Sequence, residues 1–126
     1  MNTLLVVGTR IVILALISYG IGIFIEQRKR VVTNYVLFAL TIGILLDVTA
    51  TAFMIIGSPN SPFTLHGVIG YSALAAMLID TTLIWRFRLT KGATEKVGKS
   101  LHLYSRYAFS WWVIAFITGG LLVAFK

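Results

Sequence analysis

The chain has 126 residues, of which 58% are hydrophobic and 12% charged, and it contains no cysteine. A typical soluble domain carries about 25% charged residues, so too few polar side chains remain here to cover a surface that faces water. The lack of cysteine excludes disulfides, thiolate metal sites and thiol nucleophiles. The composition therefore predicts an integral membrane protein, and the mean hydropathy of +0.91 agrees with it.

Four apolar stretches follow one another along the chain, each close to the ~20 residues that a helix needs to cross a ~30 Å hydrocarbon core. They predict transmembrane helices at about 3–25, 32–57, 63–85 and 101–125, within one transmembrane domain that covers residues 1–126. The breaks between them are short. The predicted fold is therefore an all-α, up-down bundle of four transmembrane helices.

The basic residues report topology. The formal net charge is +7, which in a soluble protein would suggest a nucleic-acid partner. Most of the cations, however, fall in the two breaks that follow the first and third helices, which lie on the same side of the membrane. The positive-inside rule places that side in the cytoplasm, so we expect both termini outside, a location in the inner (cytoplasmic) membrane and no nucleic-acid partner. The cations in these breaks are Arg28, Lys29, Arg30, Arg86, Arg88, Lys91, Lys96 and Lys99.

Ionisable residues within the predicted spans are the candidate functional residues, because an unpaired charge at the bilayer centre costs about 2.5–3.5 kcal/mol. At about 1.5 Å per residue, Arg10 and Asp47 lie at similar depths near the outer side. Asp80 and Arg106 match in the same way near the cytoplasmic side. We expect two ion pairs, Arg10 with Asp47 and Asp80 with Arg106, that lock the helix packing; the alternative is a proton or ion path.

Helical spacing predicts which faces point into the bundle. On the third helix, small and polar residues recur at steps of three and four, and the second helix has a similar stripe. On the fourth helix, His102 and Arg106 share a face with Ser105 beside them. Trp111 and Trp112 lie near mid-membrane, where they fill the core or touch lipid, with a cofactor contact as the alternative. The two stripes consist of His66, Gly70, Ala73, Met77 and Asp80, and of Gly43, Asp47, Thr51 and Met54.

Two histidines in a bundle of membrane helices suggest haem b, because neutral imidazole is its common axial ligand. His66 and His102 are the candidate ligands. His66 lies near the outer end of the third helix and His102 near the cytoplasmic end of the fourth, so they cannot flank one iron within one subunit. A dimer, a site with a single histidine, or Met54 or Met77 as the second ligand stay open.

Three segments of the chain resemble the HsmA-type family of small four-helix bacterial membrane proteins: Leu37–Met54, His66–Trp85 and His102–Gly120. The resemblance implies the fold but no particular activity. A more distant resemblance connects the chain to four-helix cytochrome b domains, in which two histidines fourteen apart on one helix bind stacked haems; here the second of these positions is Asp80. The residues that carry the first resemblance are Asp47, Thr49, Thr51, Met54, His66, Gly67, Gly70, Met77, Trp85 and His102.

These observations favour a membrane protein without enzymatic activity of its own, an accessory or structural subunit packed by intramembrane ion pairs. Its expected partners are the lipid bilayer and other membrane subunits or further copies of itself. The alternative is a b-type haem electron carrier that uses His66 or His102. A small multidrug transporter is a third alternative and is less favoured, because such transporters need an acidic residue in the first helix, where the predicted span has only Arg10.

Overall fold

The computed structural model describes the backbone of residues 3–57, 65–92 and 94–124, and the side chains of residues 6–118 other than 54, 57–67 and 93. This part of the chain forms four α-helices and no strand, as the hydropathy pattern predicts. The helices are α1 (Thr3–Lys29), α2 (Asn34–Gly57), α3 (Leu65–Lys91) and α4 (Lys99–Ala124).

Two helices are longer than the apolar stretches that predict them. α1 continues to Lys29 and α3 to Lys91, because the polar residues after each stretch are good helix formers and cations favour a helix C-terminus. α1 ends where Arg30 takes a left-handed φ of 57° and donates its N–H to the Glu26 carbonyl at 2.7 Å. α3 ends at Gly92, whose φ is 88°. Because α1 continues to Lys29, Glu26 belongs to this helix and not to the connection that follows it.

The outer surface of the bundle is apolar. Large aliphatic and aromatic side chains on all four helices are exposed, among them Leu14, Phe24, Phe38 and Ile114. Within the described residues, three segments are long and apolar enough to cross a membrane, and they lie in α1, α2 and α3. These features indicate a membrane protein. The three segments are Val6–Lys29, Asn34–Phe53 and Val68–Lys91.

The helices pack around a ring in chain order, and α1 closes the ring against α4. The closest approach is between α1 and α2. The Ser18 hydroxyl donates to the Ala39 carbonyl at 2.6 Å, and the Tyr19 ring lies directly over Gly43, where a Cβ atom would be 2.3 Å from Tyr19 Cδ1. Because Gly43 has no side chain, the Tyr19 ring can pack against α2 in the bundle interior.

The two basic breaks meet at one end of the bundle, which we call the basic end. The Val97 N–H donates to the Arg30 carbonyl at 2.7 Å. The Arg88 guanidinium donates to the Val32 carbonyl at 2.9 Å and to Asn34 Oδ1 at 2.7 Å. The connections after α1 and after α3 are thus tied to each other on the same side, as the sequence predicts.

Candidate functional site

Acidic and basic side chains are segregated in this bundle. Glu26, Asp47 and Asp80 are 0%, 4% and 0% exposed, and the fourth acidic residue, Glu95, is exposed in the connection before α4. Among the lysine and arginine side chains that the structure describes, Arg88 is half-buried and every other one is exposed. The interior therefore holds three carboxyl groups and no lysine or arginine of the described chain.

Asp47 is held by neutral donors. Its Oδ2 accepts hydrogen bonds from the Tyr19 hydroxyl at 2.9 Å and from Trp112 Nε1 at 2.8 Å. The two aromatic rings meet edge to face, with 5.1 Å between their centroids and 83° between their planes. Both rings are buried. This cluster fixes the position of the Asp47 carboxyl without an opposite charge.

Asp80 is the least satisfied of the three carboxyl groups. Its Oδ1 accepts a short hydrogen bond from the Ser105 hydroxyl. Its Oδ2 is buried and has no hydrogen-bond partner in the described part of the chain, and the same holds for the hydroxyl of the adjacent Thr81. A buried polar atom left in this state costs about 1–3 kcal/mol. Asp80 therefore keeps one oxygen available for a proton.

Glu26 belongs to a polar network at the basic end. Its Oε1 lies 3.0 Å from His102 Nδ1, and its Oε2 accepts from Gln27 Nε2 at 2.6 Å. Gln27 Nε2 also reaches the His102 carbonyl at 2.9 Å, and Arg106 Nε donates to Gln27 Oε1 at 3.0 Å. Glu26 and His102 form the single acid–base side-chain contact within salt-bridge distance among the described residues.

The three carboxyl groups lie at three levels along the bundle. Their partners on α4 are Trp112, Ser105 and His102, which are separated by seven and three residues. At 1.5 Å per residue these separations correspond to about 10 Å and about 5 Å along the helix axis. Asp47 is therefore the acid furthest from the basic end, and Glu26 is the nearest to it.

Asp80 lies within electrostatic range of Glu26 on one side and of Tyr19, which binds Asp47, on the other. Between the levels of Asp47 and Asp80, the interior is filled by Met77 and Ala108, which are 0% and 4% exposed. These two side chains form an apolar layer beside the Tyr19 ring.

The two predicted ion pairs are wrong. Arg10 does not meet Asp47, because it lies nine residues before Tyr19, about 180° around α1 at 100° per residue, on the outer surface. Arg106 follows Ser105 on α4 and is rotated about 100° away from the face that meets Asp80. Both guanidinium groups are exposed.

The predicted interior stripes agree with the structure where it describes them. Gly43, Asp47, Ala73, Met77 and Asp80 are all buried, at the three- and four-residue spacing that the helices require. Thr51 and Gly70 are half-buried at the ends of the same stripes. The side chains of His66 and Met54, two candidate haem ligands, lie outside the described residues.

Glu26 is a buried acid that the hydropathy pattern does not predict, and Trp112 has a polar contact in addition to its predicted place in the core. The apolar stretch ends near residue 25, so Glu26 was assigned to the polar break, although it follows Tyr19 by seven residues and shares its face of α1. The expectation that the first helix has no acidic residue is therefore wrong. Trp112 fills the core as predicted, and its indole N–H in addition binds Asp47. The pairing of one buried aromatic with one buried acid across two helices is not visible in a linear pattern.

The described residues do not fit a haem. His102 is 7% exposed, its Nδ1 contacts Glu26, and α1 closes over the ring. Two surface grooves of the structure are lined by other residues. A porphyrin would need an open slot beside the imidazole, and His102 is instead buried against Glu26 of α1. Asp80, the position where the cytochrome b pattern has its second histidine, binds Ser105 instead.

Comparisons with protein-family models, with curated proteins and with solved structures find no match to this chain.

Proposed function

We propose that this protein, without enzymatic activity of its own, binds protons in its helical bundle and passes them across the membrane. The observation that carries the proposal is the burial of Glu26, Asp47 and Asp80 in an interior without lysine or arginine among the described residues. Ionisable groups inside membrane helices are costly, and they commonly mark proton or ion pathways. An ion-paired scaffold does not account for the burial, since the carboxyl groups of Asp47 and Asp80 have only neutral partners.

The arrangement suits protons better than metal ions. A divalent cation needs several ligands around one point, and the described residues contain no group of three or more histidine, cysteine or acidic side chains that could supply them. The three carboxyl groups are instead spaced along the bundle axis. A carboxyl group takes up and releases a proton without any further ligand, so separate single acids are sufficient.

The contacts suggest a role for each acid. Asp80 is the central acceptor, because its Oδ2 has no hydrogen-bond partner in the described chain. Glu26 and His102 exchange protons with the basic end, since they are the acid and the imidazole nearest to it and lie 3.0 Å apart. Asp47 receives the proton on the far side of the apolar layer formed by Met77 and Ala108. That layer keeps the two sides from being joined by a permanent water column.

Proton flux into liposomes tests the proposal. The purified protein is reconstituted into vesicles that enclose a pH-sensitive dye, and a potassium gradient with valinomycin drives proton movement. We expect flux with the wild-type protein and a reduction of at least about tenfold with Asp80→Asn, which has the same shape but no titratable proton. Glu95→Gln is the matched control, because it removes the one exposed carboxyl group. Wild-type flux equal to that of protein-free vesicles, or equal flux with Asp80→Asn, would refute the proposal.

A second candidate function is that of an accessory subunit packed against other membrane subunits or further copies of the chain. The observation that favours it is Arg10, a cation within an apolar span of α1 whose side chain is exposed on the outer surface. A partner helix with an acidic residue would neutralise it. If this is so, Arg10→Gln lowers the oligomer size measured by light scattering in mild detergent or abolishes co-purification of a partner, whereas Arg86→Gln leaves both unchanged.

A further inference from the structure

A groove runs along the lipid-facing surface between α2 and α3 at the basic end. Its volume is about 310 Å³. Most of its wall is apolar, and its polar groups lie together toward the basic end. Its lining residues are Asn34, Leu37, Phe38, Trp85, Arg88 and Leu89.

The cation of this groove is held in place. Arg88 uses one N–H for the Val32 carbonyl at 2.9 Å and another for Asn34 Oδ1 at 2.7 Å. A guanidinium group has five N–H donors in a planar fork, so three donors remain for a ligand. The half-buried Arg88 side chain therefore presents a positioned positive charge, whereas the cations of the connecting segments are exposed.

The rest of the groove faces hydrocarbon. Phe38 and Leu89 are 65% and 77% exposed, and they lie on helices that are long and apolar enough to cross a membrane. The Trp85 indole N–H donates to the Thr41 hydroxyl at 2.8 Å, which holds the indole as one wall of the groove. A tryptophan beside an arginine at the end of a span is typical of the headgroup level of a bilayer.

We propose that this groove binds one anionic phospholipid. The Arg88 guanidinium donates to the lipid phosphate, and an acyl chain lies along Leu37, Phe38 and Leu89. Arginine and phosphate match in charge and in bidentate geometry, and basic pockets between membrane helices are suited to anionic headgroups. A zwitterionic lipid binds less well, because its ammonium group would approach Arg88 and the other cations of the basic end.

A second groove provides the internal comparison. It lies between α3 and α4, is larger at about 630 Å³, and contains Arg86. The Arg86 side chain is exposed and, among the described residues, no hydrogen bond fixes its guanidinium. Arg86 and Arg88 are two residues apart and carry the same charge. A substitution at either position therefore changes the net charge of the basic end equally, and only the one at Arg88 removes the positioned donor.

Native mass spectrometry measures the proposed binding. The full-length protein in a neutral detergent is titrated with phosphatidylglycerol and, separately, with phosphatidylcholine of the same acyl chains. We expect one phosphatidylglycerol to bind with a preference over phosphatidylcholine, about tenfold weaker binding by Arg88→Gln, and binding by Arg86→Gln within about twofold of wild type. Equal losses from the two arginine variants, or no preference between the lipids, would overturn the proposal.

A second variant keeps the test independent of folding. Leu89→Glu changes an exposed groove wall and leaves the hydrogen bonds of Arg88 intact, so it should fold, and it should repel the phosphate and weaken phosphatidylglycerol binding at least as much as Arg88→Gln. Inorganic phosphate added in excess should not displace the lipid, because it lacks the acyl chain. Unchanged binding by Leu89→Glu would place the lipid elsewhere, and displacement by phosphate would show that the acyl chain adds nothing to binding. Either result would overturn the proposal. None of these outcomes depends on proton flux.

Discussion

The most direct test of the interior is Gly43→Ala. A Cβ atom at this position would lie 2.3 Å from Tyr19 Cδ1 and 2.5 Å from Cε1, well inside the ~3.5–4.0 Å at which carbon atoms attract each other. The ring would have to move by more than about 1 Å. It has little freedom to do so, because Tyr19 is fully buried between α2 and the Trp112 ring.

The net change in the free energy of unfolding combines two losses and one gain. Overpacking of a core costs about 1–3 kcal/mol, and loss of the Tyr19 hydrogen bond to Asp47 adds about 1–2 kcal/mol. The higher helix propensity of alanine returns about 1 kcal/mol. We therefore expect Gly43→Ala to lower the free energy of unfolding by about 1–4 kcal/mol. Denaturation in mixed micelles, followed by circular dichroism, measures it.

Gly70→Ala is the matched control. It gives α3 the same gain in helix propensity, and outside the adjacent backbone of α3 no atom of the described residues lies within 4 Å of its added Cβ, so the variant should be as stable as wild type or more so. In the background of Tyr19→Leu, which removes the ring, Gly43→Ala should lose most of its additional cost. If Gly43→Ala is as stable as Gly70→Ala, the close contact between Tyr19 and α2 is incorrect.

Three further predictions concern the carboxyl groups and the topology. Asp80→Asn should leave the thermal midpoint unchanged or raise it, since it removes an incompletely partnered buried carboxyl group; a large loss of stability in the same micelles would contradict this. A double-mutant cycle with Glu26→Gln and His102→Gln should give a coupling energy of about 1–3 kcal/mol, and strictly additive effects would show that the two side chains do not interact. The chain contains no cysteine, so Glu95→Cys introduces a single thiol, which an impermeant maleimide should label only after the cell membrane is opened; labelling of intact cells would reverse the proposed orientation.

The fold was predictable from the sequence because hydropathy and length are sufficient to locate helices in lipid. The level of a residue along the bundle axis also follows from its position within its helix. Arg10 and Asp47 show what that level leaves out. A partner must also lie at the right angle around the helix axis, and that angle depends on which face of α1 turns inward.

The inward face of α1 is itself a result of tertiary packing. Tyr19 turns inward because Gly43 on another helix leaves room for its ring, and Glu26 follows on the same face. Hydropathy instead assigned Glu26 to the polar connection. A helix that continues past its apolar stretch hides such residues from any analysis that equates the end of hydrophobicity with the end of the helix.

The supply of polar partners from α4 has a consequence for how the protein is made. Trp112, Ser105 and His102 all belong to α4, which is synthesised after α1, α2 and α3, while the acids they contact are on those three helices. Membrane helices first insert and then associate. Until α4 docks, Asp80 lacks the serine hydroxyl and Glu26 lacks the imidazole, so docking of α4 completes the polar interior. A chain truncated before residue 99 would reach the membrane without the α4 side chains that contact these acids, and quality-control proteases would encounter it in that state.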